Sequence, residues 1–192
     1  MFAHRPKPPA TYADIEALPA GMVGQILFGV LHAHPRPAPR HARATSRLGA
    51  ELDGPFDRGR GGPGGWILLD EPELHLDPHV VVPDIAGWRR ERLPRLPDTA
   101  YFETPPDWVC EVLSPSTARI DRTDKLAVYA TFLVGSCWLV DPIAFTLEVF
   151  ELHQGRWTLH STYKDADPVA APPVAEHSFL LDVLWPDEQL PT

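Results

Sequence analysis

The stretch Trp108–Thr117 reads WVCEVLSPST and is followed by a helical pattern over Asp121–Leu133. Apart from Glu111, the first six residues are apolar, which is typical of a central strand that is covered on both faces. Pro115 ends this strand. Asp121 can cap the helix that follows. The apolar stripe of that helix is predicted to consist of Leu126, Tyr129 and Leu133. A buried strand that leads directly into a helix favours a mixed α/β fold.

Outward from this stretch, helical and strand-like runs alternate along the chain. Helices are predicted over Thr11–Leu18, with Thr11 as the cap, and over Arg40–Leu52. The runs with β-type patterning are Gln25–His32, Trp66–Leu69, Pro72–Leu76, Val80–Ala86, Cys137–Val140, Thr146–His153 and Trp157–Tyr163. A final apolar segment, Phe179–Trp185, is a short turn of helix or a strand. This order predicts an α/β class with a partly antiparallel sheet.

Length and composition indicate one globular domain. The chain has 192 residues, of which 44% are hydrophobic and 22% charged, values that exclude global disorder. The proline-rich segment 1–10 is predicted to be a flexible arm, residues 11–186 the single domain, and residues 187–192 a C-terminal tail. The N-terminus lacks the apolar core of a signal peptide, and the apolar runs are too short to cross a bilayer. The sequence therefore predicts a cytoplasmic protein with no membrane partner.

Charge and cysteine content narrow the function classes. The net charge of −9 argues against a passive DNA-coating role, because phosphate attraction needs clustered Lys and Arg. It does not exclude an enzyme that holds a metal with carboxylates. The two cysteines, Cys110 and Cys137, each lie in an apolar run and have no C-x-x-C spacing, so buried reduced thiols are expected and a zinc site is not.

Three residues stand out as candidates for chemistry: Asp84, Glu111 and Lys125. Asp84 ends a β-rich run, Glu111 lies inside the apolar strand, and Lys125 lies on the next helix. A carboxylate in an apolar strand is unfavourable unless a metal or a cation pairs with it. Two carboxylates on neighbouring strands suit Mg²⁺, which binds few protein carboxylates and keeps several waters. From spacing alone, an ordinary structural interpretation is slightly favoured, in which Glu111 pairs with Lys125 or an arginine and Asp84 is a turn residue at the end of its strand.

Four segments together carry a family resemblance. They are Val82-Pro83-Asp84-Ile85, then Pro106–Thr117, then Asp121–Ala130, and then Trp138-Leu139-Val140-Asp141-Pro142. They closely resemble the Uma-two family, which is grouped with restriction-endonuclease-like nucleases of the PD-(D/E)XK superfamily. The resemblance runs from Tyr12 through Trp185. It implies a restriction-endonuclease-like core, with a mixed central β-sheet flanked by helices.

The resemblance also implies site roles. Asp84 matches the proline-linked aspartate and Glu111 the second acidic position, which together would bind Mg²⁺ or Mn²⁺. The motif's lysine should lie two residues after the glutamate, where this chain has Leu113, and Lys125 matches the family's helical lysine instead. Gln25 stands where the family has a glutamate that contributes to the site. An amide has an oxygen but no charge and is no base, so this exchange is expected to weaken metal binding.

Several further residues are open to two interpretations. His41 matches a histidine common in the family and could contact phosphate or play a structural role at the start of its helix. Glu73 could point toward the site. Two basic loops could contact DNA or be solvated surface; they contain Arg58 and Arg60, and Arg89, Arg90, Arg92 and Arg95.

Two functions from different classes follow. The first is a metal-dependent DNA endonuclease that hydrolyses a phosphodiester with a Mg²⁺-activated water, with a homodimer as the form that could cut both strands. The alternative is a catalytically weakened or inactive nuclease-fold protein that binds DNA or a protein partner. A third interpretation, a structural or interaction protein with no nucleic-acid role, is compatible with the net charge. Gln25 favours the alternative, and Asp84, Glu111 and Lys125 favour the endonuclease.

Overall fold

A computed structural model describes residues 8–185 of the chain. The helices are α1 (Tyr12–Glu16), α2 (Pro39–Leu52), α3 (Ala118–Ile120) and α4 (Leu126–Thr131). The strands are β1 (Met22–Leu27), β2 (Val30–Pro35), β3 (Trp66–Asp70), β4 (Leu74–Leu76), β5 (His79–Val81), β6 (Ile85–Arg89), β7 (Trp108–Val112), β8 (Ser136–Asp141), β9 (Thr146–His153), β10 (Arg156–Lys164), β11 (Pro168–Val169) and β12 (Phe179–Leu180). Most of the predicted arm and the whole predicted tail lie outside the described residues.

The central sheet has six strands in the order β10-β9-β8-β7-β6-β3. β7 and β8 are parallel, and the other neighbours are antiparallel. The sheet is therefore mixed, as predicted. The helical segment between β7 and β8 is the crossover that a parallel pair requires.

A second sheet has four strands in the order β2-β1-β5-β4. Two runs that the sequence predicts as single strands are each divided in the structure. The run Gln25–His32 is not the single strand that its pattern predicts, because a two-residue turn divides it between β1 and β2. Phe28 and Gly29 form this turn with φ of 51° and 75°, and Leu27 pairs with Val30. Two positive φ values in a two-residue loop are the pattern of a type I′ hairpin.

The run Val80–Ala86 is also divided, against the prediction of one continuous strand. β5 ends at Val81 and belongs to the four-stranded sheet, whereas β6 begins at Ile85 and belongs to the central sheet. Pro83 lies between them and cannot donate to a strand ladder. The break places Asp84 directly before β6, at the junction of the two sheets.

The helix after β7 differs from the prediction at both ends. It begins at Ala118 rather than Asp121, and its middle, Asp121–Lys125, is a π-helical turn between α3 and α4. Asp121 is therefore no cap but an internal residue that is 2% exposed. Leu133 is not part of the apolar stripe, since it lies beyond α4 with φ of 59° and is 72% exposed.

Apolar residues cover both faces of the central sheet. One core packs α2 against the face that carries Cys110 and Val112, and Leu48 and Trp66 are among its members. The other core includes Val109 and packs α4 with residues of β4 and β5. Alternation along β7 consequently directs Glu111 to the same face as Val109, toward α4. Within residues 8–185, no helix is long and apolar enough to cross a membrane.

Candidate active site

Glu111 is held by two side chains from the helical segment that follows its own strand. Lys125 Nζ lies 2.7 Å from Glu111 Oε2, and the Tyr129 hydroxyl donates to Glu111 Oε1 at 2.5 Å. Glu111 is 0% and Lys125 4% exposed. The structure thus brings Glu111 and Lys125 together, as the position of the helix directly after the strand led us to expect.

Lys125 makes two hydrogen bonds and two ion pairs. Besides Glu111, its ammonium donates to the carbonyl oxygen of Val82 at 3.0 Å, and it forms an ion pair with Asp121 Oδ1 at 3.3 Å. The charge of this buried ammonium is therefore held by groups of the protein. Lys125 therefore links the helix, β7 and the chain segment that leads to Asp84.

The π-helical turn lies at the residues that make these contacts. Asp121 and Lys125, its first and last residues, are both buried and form an ion pair with each other. Tyr129 follows four residues later, one turn along α4. Single π-turns inside α-helices occur frequently at functional sites, because the wider turn changes which side chains share a face.

The pKa values of Glu111 and Lys125 are both raised. Burial raises the pKa of Glu111 to about 8, although the charge of Lys125 opposes this effect. Burial alone would lower the pKa of Lys125, but the carboxylates of Glu111, Asp121 and Asp84 outweigh it and raise the pKa above its ordinary value. Lys125 is therefore a fixed ammonium, and any further cation beside Glu111 would favour the carboxylate form.

Asp84 is fixed beside this cluster by β7. Its Oδ2 accepts the backbone N–H of Val112 at 2.6 Å and lies 3.2 Å from His41 Nε2. Ile85 of β6 pairs with Cys110 of the antiparallel strand β7. One register position further, Asp84 therefore lies beside Glu111 on the neighbouring chain segment. His41 comes from the first turn of α2. Burial lowers the pKa of His41, but the hydrogen bond and charge of Asp84 reverse this effect and raise it.

Asp84, His41, Asp121 and Lys125 border a cleft of about 300 Å³ between α2 and the loop that follows β7. Its charged or titratable lining includes Arg36, His41, Glu71, Asp84, Asp121 and Lys125. Glu111 lies behind Lys125 and does not line it. A cleft with carboxylates on one wall and an arginine among its lining residues can accommodate an anionic group that is bridged by a cation.

Gln25 lies behind the wall of the cleft, with 3% exposure. Its Oε1 accepts the backbone N–H of Val82 at 2.9 Å, so its amide nitrogen faces His34 Nε2 at 3.2 Å. Val82 is also the residue whose carbonyl receives Lys125. Gln25 therefore reaches the cluster through Val82, and the structure gives it no direct contact with Asp84 or Glu111.

Comparison with known proteins adds the family. The family model Uma2, described as "Putative restriction endonuclease", matches residues 11–183. The chain belongs to the Uma2 family. A search of curated proteins finds no significant match.

The Uma2 fold is also found in a solved structure. A crystal structure titled as a putative nuclease belonging to DUF820, from Anabaena variabilis, is 21% identical in sequence and superposes with a TM-score of 0.75. The match covers 93% of this chain and 98% of that one. At this identity the likeness concerns the fold, and it supports the restriction-endonuclease-like core that the sequence predicted.

The donor set of this Uma2 chain suits a hard divalent ion. Within residues 8–185, no three His, Cys, Asp or Glu side chains are arranged to hold a metal by themselves. Mg²⁺ needs only one or two carboxylates and completes its shell with water. Asp84 borders the cleft, and each Glu111 oxygen has a second lone pair beyond its bond to Tyr129 or Lys125. Asp84 and Glu111 would be the residues that hold the ion.

The basic loops and Glu73 do not join this cluster. Arg90 pairs with Asp57 and Arg92 with Asp107, each at 2.5 Å. Arg58 pairs with Asp53, and Arg89 lies over the ring of Trp66. Glu73 accepts from Tyr12 and contacts His75, next to the four-stranded sheet.

Sequence reasoning missed two members of the cluster. The pattern alone makes Tyr129 a plain core residue and Asp121 a cap, and neither description includes a contact with the Glu111–Lys125 pair. The spacing of Asp121, Lys125 and Tyr129 is i, i+4, i+8, which is the signal that all three side chains share one helix face.

Proposed function

We propose that this Uma2 protein is a divalent-metal-dependent nuclease that hydrolyses phosphodiester bonds of DNA. The observation that carries the proposal is the buried Glu111–Lys125 pair next to Asp84, at the wall of a cleft. A buried ion pair is weak support for stability as such, because desolvation offsets its attraction. The pair lies beside a second carboxylate, that of Asp84, at a cleft, and this position supports a role in catalysis.

The proposed roles follow from the contacts. Asp84 and Glu111 bind the metal, and Asp84 is kept in position by Val112 N–H and His41. Tyr129 fixes one oxygen of Glu111, and Lys125 fixes the other and adds positive charge where a phosphate would gain negative charge. When bound, Mg²⁺ would polarise the phosphate and lower the pKa of a bound water.

A second candidate function is favoured by the same contacts. The ammonium of Lys125 is held by Val82, Glu111 and Asp121, and Gln25 contributes no charge. A protein that binds DNA in this cleft without cutting it is compatible with both observations. The two candidates differ in one measurable property, which is cleavage.

The experiment uses supercoiled plasmid and the full-length protein. We expect conversion to open-circular or linear DNA with Mg²⁺ or Mn²⁺, none with EDTA, and recovery when excess metal is added back. A gel-shift assay on the same samples reports binding separately. Binding without cleavage at any metal concentration would favour the inactive form. If the protein shows no binding and no cleavage, a role on DNA is refuted.

A further inference from the structure

Arg36 differs from Lys125 and His41 in that its charged group is available to a ligand. Lys125 is buried and held by Glu111, Asp121 and Val82, and His41 contacts Asp84. Arg36 also lines the cleft and is exposed. Among the residues that the structure describes, no acidic side chain forms an ion pair with it and no group forms a hydrogen bond with its guanidinium.

Four of the six arginines of the two basic loops are engaged elsewhere. Arg90, Arg92 and Arg58 each have an aspartate partner, and Arg89 is stacked on Trp66. None of them lines the cleft. An anion that enters the cleft would therefore meet Arg36 rather than these side chains.

The backbone around Arg36 is held in place from both sides. Arg36 lies between Pro35, the last residue of β2, and Pro37, and prolines fix their own φ and restrict the preceding residue. The carbonyl of Pro35 accepts a hydrogen bond from His34 Nδ1 at 3.1 Å. His34 Nε2 in turn accepts from the Gln25 amide. Because the backbone of this segment is already restricted, little backbone freedom is lost when Arg36 binds a ligand.

We propose that Arg36 binds a phosphate of the nucleic acid that enters the cleft, and that Gln25 and His34 are positioning residues for the segment that carries it. The proposal rests on the proposed function of the same site. A guanidinium presents donors in a planar fork that matches phosphate oxygens, which a lysine at this position would not reproduce. The phosphate would lie between Arg36 and the carboxylates that hold the metal.

The test measures DNA affinity apart from cleavage. A fluorescein-labelled duplex of about 20 base pairs is titrated with full-length protein by anisotropy, in EDTA and again in Ca²⁺, over a range of NaCl concentrations. For Arg36→Ala we expect a several-fold weaker affinity and a slope of log K against log salt that is smaller by about one, because one phosphate contact is lost. Arg36→Lys should keep the slope, since the charge remains, and lose part of the affinity.

Arg156→Ala is the matched control. Arg156 is exposed on β10, at the far edge of the central sheet, and its substitution removes the same charge outside the cleft. We expect the affinity and slope of this variant to equal those of the unaltered protein. If unaltered protein binds and Arg36→Ala matches it in slope, Arg36 does not contact phosphate, while the proposed function stands. If unaltered protein binds no duplex in either condition, the role of Arg36 is refuted, and the plasmid assay decides the proposed function separately.

Discussion

Lys125 and Glu111 form an ion pair that is almost completely removed from solvent, with 2.7 Å between Nζ and Oε2 and side-chain exposures of 5% and 1%. Neither residue could occupy this position alone, because an unpaired buried charge is strongly unfavourable. Strand β7 and the helical segment after it are thereby tied together at the cleft. The pairing explains how a carboxylate is tolerated in the middle of an apolar strand.

Removing Lys125 should destabilise the protein through this pair. We expect Lys125→Met to lower the free energy of unfolding by about 3–5 kcal/mol, since Glu111 is left buried without its partner. The Glu111→Gln/Lys125→Met double variant should recover much of that loss. Urea denaturation of the single and double variants measures both effects, and a single variant as stable as the unaltered protein would contradict the role of the pair.

Tyr129 should matter through its hydroxyl. Tyr129→Phe removes a 2.5 Å hydrogen bond to a buried carboxylate, so we expect a loss of about 1–3 kcal/mol. Tyr163→Phe is the matched control, because its hydroxyl donates to the carbonyl of Ala170 at an exposed position. Urea denaturation measures the loss of unfolding free energy in both variants. Equal losses would mean that the hydrogen bond to Glu111 stabilises the protein no more than the exposed bond to Ala170 does.

Gln25→Glu tests whether a charge at position 25, which contacts the cluster through Val82, affects metal binding. A carboxylate can still accept from Val82 N–H, but it presents an anion in place of the amide that donates to His34 Nε2. The added charge should tighten Mg²⁺ binding by up to about tenfold. Calorimetry with Mg²⁺ on the two proteins measures this effect. Unchanged Mg²⁺ affinity would show that Gln25 lies outside the reach of the metal.

The cysteines should be unreactive in the folded protein. Cys110 and Cys137 are both 0% exposed, and burial raises the pKa of each thiol well above its ordinary value. The thiolate is the reactive form, so neither should react with a thiol reagent at a pH of about 8 until the protein is unfolded. Counting modified thiols with and without guanidinium checks this, and rapid reaction of either one in the native state would contradict the packing of both cores.

The sequence was informative where local pattern and burial agree. The apolar run at Trp108–Val112 and the periodic helix ending at Leu52 are present within one or two residues of the prediction. The hairpin at Phe28 was missed because a type I′ turn favours Asn, Asp or Gly at its first position, and phenylalanine gives no such signal. The break at Pro83 did leave a signal, since a proline disfavours a continuous central strand.

The site was predictable only in part. A helix that directly follows a strand keeps its first turns near the strand end, which is why Lys125 could be matched with Glu111. Asp121 was misplaced because the helix begins three residues earlier, at Ala118, so Asp121 is an internal residue that pairs with Lys125 one turn later. Which arginines keep a free guanidinium depends on long-range pairings such as that of Arg90 with Asp57, which are 33 residues apart in the chain.

The rate of DNA cleavage by Asp84→Asn tests the proposed metal-dependent nuclease most directly. The amide that replaces the carboxylate would keep an oxygen for Val112 N–H but lose the charge that holds a divalent ion, and Asp98→Asn removes an exposed carboxylate from a distant loop as the control. With Mn²⁺ and plasmid DNA, we expect cleavage by the unaltered protein and by Asp98→Asn, and a rate at least about a hundredfold lower for a folded Asp84→Asn variant. Equal cleavage by Asp84→Asn and the unaltered protein would contradict the assignment of the active site to this cleft.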